Sequence, residues 1–199
     1  MTTMTKKIQQ QMTPEEALKR LMVGNRRFVE NQLERPDLAE QVRAGATGQY
    51  PFAAVLGCID SRAPAELIFD QGIGDIFNAR VAGNVVNEDM LGSLEYACKV
   101  AGSKLILVLG HTACGAVTAA CKQVELGNIT ALLSKISPAV DSFGNTDLEV
   151  DEVARKNVQL NIQRIKEESG ILSEMESKGD IQIHGAMYDV ATGNVTMLD

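Results

Sequence analysis

Continuous apolar runs alternate along this chain with stretches whose apolar residues recur every three or four positions. Phe52-Ala53-Ala54-Val55-Leu56-Gly57 is the first run, Leu105-Ile106-Leu107-Val108-Leu109 the clearest, and Ile181-Gln182-Ile183-His184-Gly185-Ala186-Met187-Tyr188 the last long one. Runs this short and this apolar predict buried strands. Asp75-Ile76-Phe77-Asn78-Ala79-Arg80 reads as a further strand, and Asn194-Val195-Thr196-Met197-Leu198 is expected to pair with the 181–188 strand across the Thr192-Gly193-Asn194 turn.

The segments between these runs carry helix signals. Thr13-Pro14-Glu15-Glu16 offers a Thr N-cap, Pro at the first helical position and Glu three residues after the cap. Ala17, Leu18, Leu21, Met22, Phe28 and Val29 follow at helical spacing, through a weak point at Gly24-Asn25. Residues 31–50 are polar and turn-rich and read as a connector. Pro64 opens a short helix, and the loop Val81-Ala82-Gly83-Asn84-Val85-Val86 leads into a helix over about 88–101. Another is expected from Cys114 to about Leu126, followed over 127–148 by helical pieces broken at Pro138 and Gly144. Thr146 and Glu149 suit the start of a long helix carrying Val150, Val153, Val158, Ile162 and Ile165 inward.

Strands alternating with helices predict an α/β fold on a mostly parallel sheet. At 199 residues the chain suits one domain with its own core. Its 45% apolar and 23% charged residues are ordinary for a globular protein, and a net charge of −7 without a basic cluster argues against nucleic acid and acidic membrane surfaces as partners. No run reaches membrane-spanning length, the N-terminal residues do not read as a secretory signal, and four irregularly spaced cysteines do not make a disulfide framework. A cytoplasmic protein is expected.

The chemistry lies at the ends of two of the predicted strands. Cys58-Ile-Asp60-Ser-Arg62 follows the first, and Gly110-His111-Thr-Ala-Cys114 follows the third. Ligands in such sheets bind outside the carboxyl ends of the strands. Two thiolates and one imidazole are three protein ligands, the number a catalytic zinc site takes when its fourth position stays open. Such a centre carries no net charge, from +2 and two times −1. Adding Asp60 as a fourth ligand would make it anionic and expel water. Arg62 can hold the Asp60 carboxylate in a two-pronged pair and leave the position to water, with Asp60 orienting a zinc-bound hydroxide for attack. Cys114, expected in the first turn of a helix, should be favoured as thiolate.

These residues resemble the β-class carbonic anhydrases, as do Asp75-Ile-Phe-Asn-Ala-Arg80-Val-Ala-Gly83-Asn84, Leu91-Gly-Ser-Leu-Glu-Tyr-Ala97 and Gly185-Ala-Met-Tyr188-Asp189. The resemblance implies reversible hydration of CO2 to bicarbonate on one zinc held by Cys58, His111 and Cys114, with Asp60 and Arg62 as a catalytic dyad. It implies a four- to five-stranded sheet flanked by helices, and a homodimer or tetramer of dimers whose clefts lie at the subunit interface. Residues 1–30 then suit an N-terminal helical arm contacting the partner, and 31–199 the zinc-binding catalytic body. Family members that close their zinc with the aspartate use a Trp in a separate bicarbonate pocket; this chain has no Trp, which favours an open site, with Asp60 as fourth ligand only in a closed state. Relatives acting on carbon disulfide or carbonyl sulfide share these motifs, and a zinc sensor without turnover is the non-enzymatic alternative.

Several residues read more simply. Cys98 and Cys121 lie in apolar helical patterns and suit inert core, and Met90, Met175 and Met187 suit packing. His184 suits core or an interface, with proton shuttling as the functional alternative. Arg80 suits a structural ion pair. Val81, Gly83 and Asn84 lie in a loop that would border the site.

Overall fold

A computed structural model describes residues 4–34, 37–144 and 149–198. The strands are β1 (Ala53–Gly57), β2 (Ile76–Arg80), β3 (Leu105–His111), β4 (Gln182–Tyr188) and β5 (Val195–Leu198), in the order β2-β1-β3-β4-β5. All neighbouring pairs are parallel except β4 and β5, which form the expected antiparallel hairpin. The central strands β1 and β3 are buried along their whole length, as unbroken apolar runs require.

The alternation of side chains across the sheet divides the core in two. Ala54, Leu56, Ile106 and Val108 face one layer, and Ala53, Val55, Leu105, Leu107 and Leu109 the other. The first layer is covered mainly by helix α9 (Val150–Glu168), which buries Val153, Val158 and Ile165 as the spacing predicts. Asn157 and Asn161 are buried along the same helix. Thr146, the expected cap, lies outside the described residues; the residue before the helix is Glu149, which makes no side-chain cap bond.

The second layer receives α1 (Lys6–Gln11) and α2 (Pro14–Val29). Thr13 and Glu16 form the complete capping box that the sequence announces, and Ala17 and Leu21 are fully buried. The Gly24-Asn25 break in the pattern has a packing reason. A Cβ on Gly24 would stand 1.8 Å from the Phe69 carbonyl oxygen, so only glycine permits this approach. Asn25 donates to the carbonyls of Ile68 and Gly193 and accepts from the Val195 amide, tying α2 to β5. On α1, Gln9 donates to the carbonyls of Pro51 and Ala101. Both N-terminal helices are thus seated on their own chain.

Four local expectations are corrected. The 31–50 connector contains a helix, α3 (Leu38–Gly45), capped by Asp37; its polar surface conceals the periodicity because only Gln41 is buried. After α4 (Ala65–Ile68), the single helix expected over 88–101 is α5 (Glu88–Glu95) followed by a π-helical turn at Tyr96–Val100. The helix after Cys114 is only α6 (Gly115–Cys121), ended where Gln123 takes a positive φ of 52°. Next comes α7 (Gly127–Leu133), and Pro138 then sits in the first turn of α8 (Ser137–Asp141), starting a helix and not breaking one. Helix α10 (Gly170–Ser177) leads into β4.

The Gly24 contact makes a prediction whose sign is diagnostic. In a free helix Gly→Ala stabilises by about 1 kcal/mol. Here Gly24→Ala is expected to destabilise by about 1–3 kcal/mol through overpacking against Phe69, read as a lower denaturation midpoint at unchanged slope.

Candidate metal centre

Strand register brings the two motifs together. Gly57 pairs with Leu109, so Cys58 leaves β1 beside the residues that carry β3 on to His111. Gly110 lets this end of β3 sit close to its cover, since a Cβ there would come within 2.6 Å of Val158 and Met187. A tight turn at Thr112-Ala113 then reverses the chain, with Ala113 at a positive φ of 53°, and Cys114 forms the N-cap of α6. The Asp151 carboxylate accepts the Ala113 amide at 2.8 Å and steadies this uncommon conformation.

Cys58, His111 and Cys114 are 5%, 1% and 1% exposed, and their ligand atoms lie within 4.8 Å of one another. His111 Nδ1 is 2.9 Å from the Thr112 carbonyl, which fixes the ring and leaves Nε2 for the centre. That Nε2 is buried without a hydrogen-bond partner, an arrangement costly in a plain core and natural for a metal ligand. A tetrahedral zinc with ordinary Zn–S and Zn–N distances separates its ligands by roughly 3.5–3.8 Å, which falls inside the 4.8 Å span of these atoms. The three residues fit the metal.

Their electrostatics agree. The hydrogen bond with Cys114 lowers the Cys58 thiol to about 4 against the opposing effect of burial, helped by His111 and the Gly83 amide. Cys114 is pushed up by the Cys58 thiolate beside it and then by burial. Burial works against protonation of His111, but the negative Cys58 sulfur beside it outweighs this and raises it. The pair therefore takes its first negative charge more readily than its second.

Asp60 is in the first turn after β1. Arg62 donates from Nε and Nη2 to its two oxygens at 2.9 and 2.8 Å, and the Arg62 amide adds a third bond at 2.9 Å. The Arg62 side chain is the largest cause that holds the Asp60 carboxyl well below the usual carboxylate range. Asp60 Oδ2 stands 3.9 Å from His111 Nε2, at the rim of the triangle, while Arg62 is half exposed. The two-pronged pair expected from the sequence is present.

Of the remaining expectations, that for Arg80 fails, while those for Cys98, Cys121 and Gly83 hold. Arg80 makes no ion pair among the described residues; it donates to the carbonyls of Cys58 and Asp60 at 2.8 and 2.5 Å, clamping the backbone of the motif. His184 pairs with Leu107, four residues before the His111–Tyr188 pair, so it sits ~13 Å along the sheet from the centre, where its Nε2 lies 3.1 Å from Gln182 Oε1. Cys98 is buried in core, with its thiol pushed up to about 12 by burial, and Cys121 is partly buried against the same layer. Gly83 borders the site directly, its amide donating to Cys58 Sγ at 3.3 Å. Asp151 and Asn157, which act on the backbone around the candidate ligands, were missed: a lone Asp gives no signal, and Asn157 signals only through its spacing of four from Asn161.

The family model described as carbonic anhydrase matches residues 53–195. Carbonic anhydrase 2 of Mycobacterium tuberculosis is 38% identical over 194 residues, covering 94% of this chain and 93% of that protein. The crystal structure of a β-carbonic anhydrase of Aspergillus fumigatus superposes with a TM-score of 0.73 at 29% identity, covering 81% of each chain. One of two tetrameric β-carbonic anhydrases from Sordaria macrospora shares the fold, with a TM-score of 0.70 at 24% identity over 80% of this chain and 90% of that one. A motif pair joined at the ends of β1 and β3, on a matching sheet and in a matching sequence, places this chain in the β-carbonic anhydrase family.

Proposed function

We propose that the chain catalyses the reversible hydration of CO2 to bicarbonate and a proton, with zinc held by Cys58, His111 and Cys114. The observation that carries this reading is the buried, unpartnered His111 Nε2 facing two thiols, beside a carboxylate gripped by arginine. Bound zinc would supply the positive charge that acidifies a water and makes it a nucleophile near neutral pH. Asp60, kept ionised by Arg62, accepts a hydrogen bond from the attacking water and turns its lone pair towards the CO2 carbon. Arg62 does a second job: with both carboxylate oxygens engaged, Asp60 is kept from filling the fourth ligand position, which is the open state. Closure onto the metal would require this pair to part.

The chain works as a homodimer or a tetramer of dimers. The outer edge of β2 is unpaired in the sheet, and beside it Phe77, Met90 and Tyr96 line a groove of about 780 Å³. An unpaired edge with apolar side chains suits a second copy of the chain, and outer faces of α1 and α2 remain for partner contact. No helix among the described residues is long and apolar enough to cross a membrane. None of the four thiols is in a disulfide, which suits a reducing cytoplasmic setting.

Three outcomes are expected. Wild-type protein binds one zinc per chain, and Cys58→Ser or Cys114→Ser loses most of it by metal analysis; full zinc retention would remove these ligands from the account. Asp60→Asn keeps zinc but lowers kcat for CO2 hydration about 10²–10⁴-fold in stopped flow, the range for loss of a positioned acid–base group. Zinc-loaded wild type with no hydration at any pH would overturn the reading. Light scattering returns at least twice the chain mass of 21.5 kDa, and a monomer at working concentration would sink the interface.

A further inference from the structure

We infer that Asn157, oriented by Asn161, is a positioning residue for the metal centre: it fixes Gly83 so that the Gly83 amide donates to the Cys58 sulfur. The inference rests on the reading of Cys58, His111 and Cys114 as metal ligands. Both asparagines are 1% exposed and lie in the otherwise apolar stripe of α9. Buried amides are costly unless every group is matched, so their hydrogen bonds show what they serve.

Those bonds lead to the 81–86 loop. Asn161 Oδ1 accepts the Val86 amide at 2.8 Å. Its Nδ2 donates to the Asn157 carbonyl at 2.8 Å and to Asn157 Oδ1 at 3.1 Å. With Oδ1 so engaged, Asn157 must present its Nδ2 outward, where it donates to the Gly83 carbonyl at 2.8 Å. Gly83 has a positive φ of 69°, and in this turn its amide faces the opposite way, onto Cys58 Sγ at 3.3 Å. A Cβ at Gly83 would meet the tip of the Ile136 side chain at 2.6 Å, and the positive φ strains any residue but glycine. The α9 asparagines therefore set the one backbone donor aimed at a ligand sulfur from this loop.

The chemical consequence concerns charge. Two thiolates neutralise a divalent metal, which weakens its pull on anything bound beside them. An N–H directed at sulfur takes up part of the thiolate's charge and returns electrophilicity to the metal. It also fixes the direction of Cys58 Sγ. A purely structural role would hold the loop without touching the sulfur's electronics.

The test uses full-length protein loaded with ¹¹³Cd, where scalar coupling across an N–H···S–Cd bridge is visible by NMR. Wild type is expected to show a ¹H–¹¹³Cd correlation to the Gly83 amide beside those to the Cys58, Cys114 and His111 protons. Asn157→Leu should lose the Gly83 correlation, keep those of the three ligands, and bind metal about 10–100-fold more weakly by chelator competition. Ile165→Ala, which removes core packing from the same helix, should leave both unchanged. If Asn157→Leu fails to fold, Asn157→Asp keeps the shape, replaces the donor by an acceptor, and is decided by the same readouts. Metal bound without a Gly83 correlation in wild type, or an Asn157 variant that retains it at full affinity, overturns the inference alone. Absence of ligand correlations in wild type overturns the ligand assignment and this inference with it.

Discussion

Everything at the centre depends on the parallel pairing of β1 with β3. Cys58 and His111 belong to segments far apart in sequence, and no local turn could bring them together. The pairing of Gly57 with Leu109 does so, because neighbouring strands run about 4.8 Å apart and β3 continues from Leu109 only as far as His111. A slip of one residue would carry every side chain of a strand to the opposite face. Such a slip is resisted twice here, since both faces of β1 and β3 are buried in separate apolar layers. Cys58, His111 and Cys114 are brought together because the core on either side of the sheet holds these strands in one register.

Past the strand ends there is no ladder to hold the chain, and polar side chains take over by gripping backbone. Arg80 holds the carbonyls on either side of the ligand loop, Asp151 holds the Ala113 amide, and Asn25 and Gln9 do the same for the N-terminal helices. Arg62 joins the two ligand segments, through Asp60 on one side and the Ala113 carbonyl at 3.4 Å on the other. The division of labour follows from burial. Apolar contacts fix strands to about a residue, whereas directional hydrogen bonds fix peptide planes, and a ligand sulfur needs its peptide plane fixed.

This division also explains what the sequence discloses. The strands were legible because buried parallel strands are continuous apolar runs, and the candidate site because two cysteines, a histidine, an aspartate and an arginine fall immediately after such runs. The clamps were not. Asn157 and Asn161 occupy inward positions of α9 between Val153, Val158 and Ile165, where a reading that counts apolar residues passes over them. Their spacing of four along a buried stripe was the available signal. Helix α3 was missed for the inverse reason, being nearly all exposed, and Arg80 because its partners are carbonyls, which every residue carries.

The thiol pair shows how the fold tolerates its own site. Two buried thiolates in contact would repel strongly in a low dielectric, so the metal-free chain keeps one proton between them: Cys58 ionises readily and Cys114 resists. A divalent cation held by Cys58, His111 and Cys114 would take the place of that proton, and would so bind more tightly as pH rises. Asp60 stands just outside this exchange because Arg62 already neutralises it. Were Asp60 unpaired, a third negative charge would face the triangle, and the carboxylate would be the natural fourth ligand. On the proposed reading, the arginine two residues along would decide, through one ion pair, whether this arrangement stores a metal or leaves a corner of it for chemistry.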